Sequence, residues 1–528
     1  MNIPFILEKA VSLYPDAEAI VSGNNRYTYG QFADRVYRLS NALKAMGIGK
    51  EDRVGILHRN SNEFLETYFA VAQLGGILVP LNIRLATREL LFIIQDSGIK
   101  ILISETQFLP RIKPILEEKS EDISVIWTGE DNHQEPVGSI RYKDIIINSG
   151  NVPIDVQIHD DDIAQLYYTS GTTGRPKGVM LSHKNVCFHS LGTIAELNLN
   201  DTDTWIHAAP LFHLADAWAT FAITWIGAKH VTVPEFTPAE VLNMIEKEKV
   251  TITNMIPTML NILVNTQNVD QYNFSSLRTI LSGGASIAPD MIRKIIKIFK
   301  CEYIQTYGMT ETSPYLTFSI LKRTLNGLTE SEIFNCRAKT GRPFMGVQLK
   351  VVRDDGSEVI HNNKEVGEII VKGDSVTSGY WNREEETKKA IKDGWLFTGD
   401  LAVMDKDGYV NIVDRKKDMI ITGGENVYSV EVENILYSHE AILEAAVIGV
   451  PDPKWGEAVK AVVTLKIGGT VTEKEIIDYC KGLIASYKVP KSVDFVKELP
   501  KTGSGKIYKK AIKKKYSQAN KSSGVVTG

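Results

Sequence analysis

The sequence predicts an α/β protein: a large N-terminal domain on mostly parallel sheets, a β-rich subdomain, and a small α+β domain at the C-terminal end. Three features predict it. Short apolar runs alternate with helical patterns through the first hundred residues and again further on, the signature of βαβ crossovers. From about Gly341 the texture changes to short β-like runs split by Asp-Gly and Gly-rich turns. Past the charged stretch Asp414-Arg415-Lys416-Lys417-Asp418, a plausible joint, it becomes a compact mixture of helices and strands. The length of 528 residues also exceeds what one hydrophobic core serves. The expected boundaries are 1–414 for the N-terminal domain, with the β-rich part at about 341–413, and 415–516 for the C-terminal domain. The polar residues 517–528 read as a disordered tail.

The elements follow in order. Residues 29–46 place Phe32, Val36, Leu39 and Leu43 at helical spacing and stop at Gly47. Residues 53–57 read as a strand, 63–74 as a helix, 76–80 and 99–103 as further strands. Residues 163–166 read as a strand entering a loop. Thr237-Pro238-Ala239-Glu240 is a helix start: a cap, a proline in the first turn, a carboxylate at the third helical position. Residues 250–253 form the next strand, and 348–352, 368–372 and 409–413 are the β-like runs. The C-terminal part predicts a helix near 430–437, strands near 445–450 and 459–465, and a capped helix opening Thr472-Glu473-Lys474-Glu475. No fixed-period repeat is present.

Composition narrows the function. Hydrophobic content of 43% and charged content of 23% are ordinary for a soluble globular chain. A formal net charge of -4 supplies no basic surplus for nucleic acid. Cys187, Cys301, Cys336 and Cys480 are scattered, with no Cys-x-x-Cys pair, which predicts reduced thiols rather than a zinc site. The N-terminus lacks the pattern of a secretory signal. The most apolar segment, 69–83, is too short and interrupted to span a bilayer. A cytoplasmic protein without an integral membrane segment is expected.

One loop dominates the chemistry: Tyr167-Tyr168-Thr169-Ser170-Gly171-Thr172-Thr173-Gly174-Arg175-Pro176-Lys177-Gly178-Val179. Its glycines let backbone N–H groups approach an anion, its hydroxyls add donors, and Arg175 and Lys177 add positive charge. The spacing is not that of a Walker loop. Other stretches carry weaker signals. His207-Ala208-Ala209-Pro210-Leu211-Phe212-His213 pairs an aromatic with a histidine, and Leu281-Ser282-Gly283-Gly284-Ala285 is a second glycine turn. Gln305-Thr306-Tyr307-Gly308-Met309-Thr310-Glu311-Thr312 sets a carboxylate among hydroxyls, a fair oxygen ligand set for magnesium. Trp395-Leu396-Phe397-Thr398-Gly399-Asp400 ends on a carboxylate that could cap its turn or accept from two hydroxyls. Met419-Ile420-Ile421-Thr422-Gly423-Gly424-Glu425-Asn426 and Pro500-Lys501-Thr502-Gly503-Ser504-Gly505-Lys506-Ile507 complete the set.

Six motifs in this order, over about 29–510, resemble the adenylate-forming enzymes, the acyl-CoA synthetases among them. The resemblance implies ATP and CoA as substrates and Mg²⁺ as cofactor. It places the nucleotide against Thr169, Ser170, Gly171, Thr172, Thr173, Gly174 and Lys177. Gly283, Gly284, Ala285 and Tyr307 would lie by the adenine, Gln305, Gly308 and Met309 would also contact the nucleotide, and Asp400 and Arg415 would lie by the ribose. Thr310 would meet the α-phosphate, Glu311 with Thr173 the metal, and His213 the substrate carboxylate. Lys506 would stabilise the charge that builds up during adenylation. Lys417 would be the hinge of a mobile C-terminal domain, and Gly423, Gly424 and Glu425 would line the CoA tunnel. The partners implied are small molecules, and the resemblance leaves room for a homodimer.

The expected activity is ATP-dependent acyl-CoA ligation. His213, where peptide-synthetase domains carry an Asp, disfavours an amino acid, although Asp216 lies close by. The resemblance implies a medium- or long-chain fatty acid first, since the members most similar in texture look like such ligases and long-chain members can carry a gating Trp near the position of Trp218; residues 218–225 could line an apolar tunnel. They could equally form an ordinary buried helix. An aromatic or alicyclic acid is the alternative, and a non-CoA acceptor or a non-catalytic nucleotide-binding scaffold are the rival classes.

Overall fold

A computed structural model describes residues 1–119, 123–129, 139–169, 176–285, 287–325, 327–466, 468–502 and 507–522. Among them, four sheets organise the chain. The largest runs Arg342–Pro343, Tyr315–Phe318, Glu302–Gly308, Thr279–Gly283, Ile252–Asn254, Thr204–His207, Lys229–Thr232, Glu18–Ser22, Asn25–Thr28. Its inner pairs are parallel and its two ends antiparallel. The second runs Ile140–Arg141, Ser124–Thr128, Ile99–Glu105, Arg53–Leu57, Ile77–Pro80, Ile163–Thr169, Lys177–Ser182, parallel except for the last pair. Helices cover these strands, so the strands are continuous apolar runs such as Ile77–Pro80, buried at every residue.

Local chemistry starts the helices. Thr28 and Gln31 close a capping box on Tyr29–Ala45, Thr237 accepts from the Glu240 N–H of Pro238–Lys247, and Thr472 with Glu475 caps Glu473–Lys481. The helix Leu214–Trp225 is mostly apolar and, apart from Ala215, buried between two cores.

Two smaller sheets follow. Gln348–Val352, Gly367–Lys372, Trp395–Met404, Ile391–Lys392 and Val410–Arg415 form an antiparallel sheet, the β-rich unit. The last unit pairs Ile442–Asp452 with Gly456–Leu465 and adds Ile420–Thr422, Glu425–Val427 and Ser492–Phe495.

The structure departs from the sequence reading in three places. A helix at Ile3–Leu13, capped by Asn2 with proline in its first turn, was not anticipated. The strand entering the first loop continues to Thr169 and pairs antiparallel with Lys177–Ser182, with Thr169 opposite Lys177. The tail expected to be disordered from 517 is helical as far as Ser522, at the end of the helix Lys509–Ser522. That helix is anchored by Ile512, which is 3% exposed against Leu499, Ala446 and Ile448. The four cysteines are free thiols, as their spacing predicts. No helix of the described residues is long and apolar enough to cross a membrane.

Candidate active site

Four neighbouring parallel strands of the large sheet, Thr204–His207, Ile252–Asn254, Thr279–Gly283 and Glu302–Gly308, bring their carboxyl ends to one edge, the candidate crevice. Ligands of open α/β sheets collect at that edge. The motifs around 207–213, 281–285 and 305–312 all begin there. Gly283 lies opposite Thr306 in the register, and Gln305 Nε2 donates to the Ala285 carbonyl at 2.9 Å, which fixes the exposed turn Gly284–Ala285. Gly308 must be glycine, because a Cβ there would stand 1.8 Å from the Pro314 carbonyl oxygen. Met309, half-buried, donates its N–H to that same oxygen at 2.9 Å.

The β-rich sheet closes one side. Asp400 and Arg415 face each other across its register. Asp400 is 5% exposed and accepts from the Tyr307 hydroxyl at 2.7 Å and from Arg415 Nε at 3.1 Å. Burial, then the Asp400 charge, holds the Tyr307 phenol well above its ordinary pKa, so it stays a donor. Three residues read from separate motifs thus form one cluster.

Glu311 is 7% exposed on the short helix Thr310–Thr312. Burial raises its pKa, and the Tyr380 hydroxyl opposes that by donating to Oε1 at 2.9 Å. Tyr380 escaped the sequence reading. It stands where the 377–381 segment pairs with the strand Lys177–Ser182: Val179 bridges Tyr380, Trp381 N–H donates to the Gly178 carbonyl, and Thr377 N–H donates to the Glu311 carbonyl. The Gly379-Tyr380-Trp381 run was the available signal. Lys177 is engaged here too: its ammonium pairs with Glu386 and lies 5.0 Å from the centre of the Tyr380 ring. The other loop positions, Ser170, Gly171, Thr172, Thr173, Gly174 and Arg175, lie outside the described residues. Among the described residues no cluster of three His, Cys, Asp or Glu side chains forms a self-contained metal site. One buried carboxylate beside a phenol hydroxyl would suit a Mg²⁺ that completes its shell with phosphate and water.

The 207–213 segment is clamped from below. Asn60, 3% exposed, donates to the carbonyls of His207 and Ala209 and accepts from Leu211 N–H. Tyr68 donates to the Leu211 carbonyl at 2.8 Å. The clamp presents Phe212 and the half-buried His213, rings 4.7 Å apart, at the start of the helix Leu214–Trp225. Asp216 does not face the crevice as a free carboxylate. It is fully buried, accepts from Trp205 Nε1 and meets His207 Nδ1 at 2.7 Å, and that histidine continues to His230 and Thr224. This removes the amino-group reading of Asp216.

Lys417 lies two residues past Arg415, and partial desolvation of its ammonium, then the Arg415 charge, lowers its pKa; Lys510 contributes in the same direction. The C-terminal unit therefore sets its last helix beside this joint. Gly423, Gly424 and Glu425 form the exposed turn of the hairpin Ile420–Thr422/Glu425–Val427, where Gly424 adopts φ +86°. Lys506 lies outside the described residues; Lys501 and Ile507, on either side of it, are bridged.

Comparison with known proteins agrees with this geometry. Residues 7–381 match the AMP-binding enzyme family and residues 431–506 match the AMP-binding enzyme C-terminal domain. A feruloyl-CoA synthase from Amycolatopsis sp is 37% identical over 95% of this chain and 96% of its own. A long-chain-fatty-acid–CoA ligase from Thermus thermophilus is 34% identical over 98% and 96%. Among solved structures, ATP-bound MatB from Rhodopseudomonas palustris is 30% identical with a TM-score of 0.87, covering 98% of this chain and 100% of that one. Its apo form gives 0.75, at 29% identity and the same coverage. The anthranilate CoA ligase AuaEII with anthranoyl-AMP gives 0.89 at 28% identity, over 99% and 98%. The chain belongs to the AMP-binding enzymes of the adenylate-forming superfamily, in their group of AMP-forming acyl- and aryl-CoA ligases.

Proposed function

We propose that the protein activates a carboxylic acid in two steps at this crevice. The carboxylate attacks the α-phosphate of ATP, pyrophosphate leaves, and acyl-AMP forms. The CoA thiol then attacks the acyl carbon, the thioester forms, and AMP carries away the bonding pair. The observation that carries the reading is the Tyr307–Asp400–Arg415 cluster beside the open Gly284–Ala285 turn. Asp400 has the acceptor capacity for both ribose hydroxyls, and the turn with Tyr307 offers a flat wall for adenine. Thr310 would meet the α-phosphate, and His213 would orient the incoming carboxylate. Glu311, with Thr173, would hold Mg²⁺. When bound, that ion neutralises phosphate charge. Lys506 would place a permanent cation where negative charge grows.

The second step requires the C-terminal unit to turn about Lys417. We assign the present arrangement to adenylation. The Gly423–Gly424 turn faces solvent here, and the similarity is greater to ATP-bound MatB than to its apo form. Rotation would bring that turn to the site and form the CoA tunnel.

For the acid, the geometry favours the compact alternative over the long chain. Every residue from Trp218 to Trp225 is at most 5% exposed and packs into the cores, so the expected tunnel wall is a buried helix. Trp218 packs edge-on against His189 and Tyr315, and His189 stacks on Phe344. The relatives act on both kinds of acid by name, feruloyl and long-chain fatty.

The test is exchange of labelled pyrophosphate into ATP. The reading requires exchange that depends on an acid and needs no CoA, with AMP release only when CoA is added. Absence of acid-dependent exchange leaves a nucleotide-binding scaffold. Exchange without CoA-dependent AMP release points to another acceptor.

A further inference from the structure

Resting on the ligase reading above, we propose that Lys177 and Glu386 are positioning residues: joined as an ion pair they hold the Tyr380 hydroxyl on Glu311, and Lys177 does not itself grip a phosphate. Lys177 stands opposite Thr169, at the last paired step of the strands Ile163–Thr169 and Lys177–Ser182. Its ammonium pairs with Glu386, on the helix Glu384–Ala390, and lies 5.0 Å from the centre of the Tyr380 ring. The two charged side chains are 15% and 27% exposed, and Glu386 Oε2 is closed off from solvent. An ammonium set between a carboxylate and a ring face already has its charge compensated. Moving it to a phosphate would strand a half-buried carboxylate and bare the ring.

Tyr380 is what the pair holds. Its hydroxyl donates to Glu311 Oε1 at 2.9 Å, and its N–H donates at 3.0 Å to Oγ1 of Thr387, the residue after Glu386. The rest of the 377–387 segment is tied to both parts of the site that it joins. Thr377 donates its N–H to the Glu311 carbonyl at 2.8 Å and its hydroxyl to the Met180 carbonyl at 2.5 Å. Trp381 N–H donates to the Gly178 carbonyl at 2.8 Å, and Met180 N–H donates to the Gly379 carbonyl at 3.1 Å. The neighbouring strand is held as well: the Tyr168 hydroxyl donates to Asp96 Oδ2 at 2.8 Å, and Arg383 meets Asp96 Oδ1 at 2.5 Å. The segment is thus a splint between the strand Lys177–Ser182 and the Thr310–Thr312 turn. Backbone bonds set its path, but a tyrosine side chain still turns about its own torsions. The Lys177 charge against the ring face, backed by Glu386, selects the rotamer that reaches Glu311.

Two other roles for the same pair predict different results. A Lys177 that leaves Glu386 to bind phosphate makes Glu386 a competitor, so removing the Glu386 charge would lower the KM for ATP. A pair that serves only the stability of the fold acts without regard to the Tyr380 hydroxyl.

The experiment measures kcat and KM for ATP in pyrophosphate exchange by the full-length enzyme. The variants are Glu386→Gln, Lys177→Met, both together, and each single change joined to Tyr380→Phe. The proposal expects each single change to lower kcat/KM about tenfold and the double variant to be no worse than the poorer single. In the Tyr380→Phe background, neither change should cost more than about twofold further. A lower KM for ATP in Glu386→Gln overturns the proposal in favour of competition. A loss in Lys177→Met that is the same with and without the Glu386 charge overturns it in favour of a direct phosphate contact. Equal losses in the wild-type and Tyr380→Phe backgrounds overturn the action through Tyr380 and leave a structural pair. If Lys177→Met does not fold, Glu386→Gln and Tyr380→Phe decide by the same rule. A second readout needs no turnover. Amide hydrogen exchange in Lys177–Ser182 should speed about tenfold in Glu386→Gln, while Thr204–His207 keeps its protection; an unchanged rate contradicts the proposal. A wild-type enzyme without acid-dependent pyrophosphate exchange contradicts the ligase reading, and the amide rates then judge the ion pair by itself.

Discussion

Replacing Lys509 by methionine tests how the C-terminal unit is fastened beside the crevice. Lys509 opens the helix Lys509–Ser522, three residues past Lys506, and its ammonium reaches Glu433 Oε1 and Ser429 Oγ, each at 2.7 Å. Ser429 donates its N–H and hydroxyl to Asp414, at 2.5 and 3.0 Å. Asp414 precedes the hinge; the other three follow it. The Lys509 and Glu433 side chains are only 16% and 11% exposed, and Asp414 is 2% exposed. Burial raises the pKa of both carboxylates, and the Lys509 charge opposes this. Without the cation, two buried carboxylates lose their compensation, a loss of about 3–5 kcal/mol. Amides of the helix Ser429–Tyr437 should then exchange with solvent roughly 10²–10³-fold faster than in the wild type, while the large parallel sheets keep their protection. The pH dependence has a sign. A carboxylate whose folded pKa is raised contributes stability below its unfolded pKa and loses it as pH rises through the folded value. The wild-type Lys509, whose pKa is raised above 10.5, stays charged throughout. The deficit of the variant should therefore be largest at pH 8 and shrink towards pH 5. Exchange in Ser429–Tyr437 that stays within about threefold of wild type, or a deficit that grows on acidification, would refute the reasoning.

Other substitutions separate the proposed roles. Lys506→Ala should lower adenylation about a hundredfold or more and largely spare thioester formation from supplied acyl-adenylate; equal loss of both half-reactions contradicts its assignment. Asp400→Asn should raise the KM for ATP in pyrophosphate exchange by roughly 10–100-fold, because two charge-assisted bonds are lost. An unchanged KM would remove Asp400 from the nucleotide. Tyr380→Phe removes a donor that lowers the Glu311 pKa, so the acidic limb of the kcat/KM profile for ATP should move to higher pH. A profile that stays in place would mean that Glu311 does not titrate in that limb. Asp216→Ala should unfold at a markedly lower temperature than the wild type, since it strips a fully buried histidine of its partner; an unaltered melting temperature argues that the pair is not structural.

Much of the frame was legible because its signals are local. Thr237 with Glu240, and Thr472 with Glu475, start helices within one turn of sequence, and the runs at 53–57 and 76–80, alternating with helical patterns, announce parallel strands. The site was legible wherever a motif holds its own chemistry, as with Asp400 after its glycine turn. What sequence missed depends on partners brought together by the fold. Tyr380 reads as one more aromatic until the 377–381 segment pairs with the strand Lys177–Ser182 and aims its hydroxyl at Glu311. Lys177 reads as a free cation until Glu386 appears beside it. Asp216 reads as a crevice carboxylate until His207 claims it. The basic stretch after 508 reads as solvated because its anions, Glu433 and Asp414, lie far back in the chain. Burial of a helix face, as at Trp218–Trp225, looks the same in sequence whether it lines a tunnel or fills a core.

The central claim is that one crevice, walled by the large sheet and the β-rich unit, holds the adenylate. A crystal structure of the protein with a non-hydrolysable acyl-AMP mimic tests it most directly. The account predicts the base against Gly284 and Tyr307, both ribose hydroxyls on Asp400, and the acyl group beside His213. Nucleotide bound elsewhere, with Asp400 still held only by Tyr307 and Arg415, would contradict it.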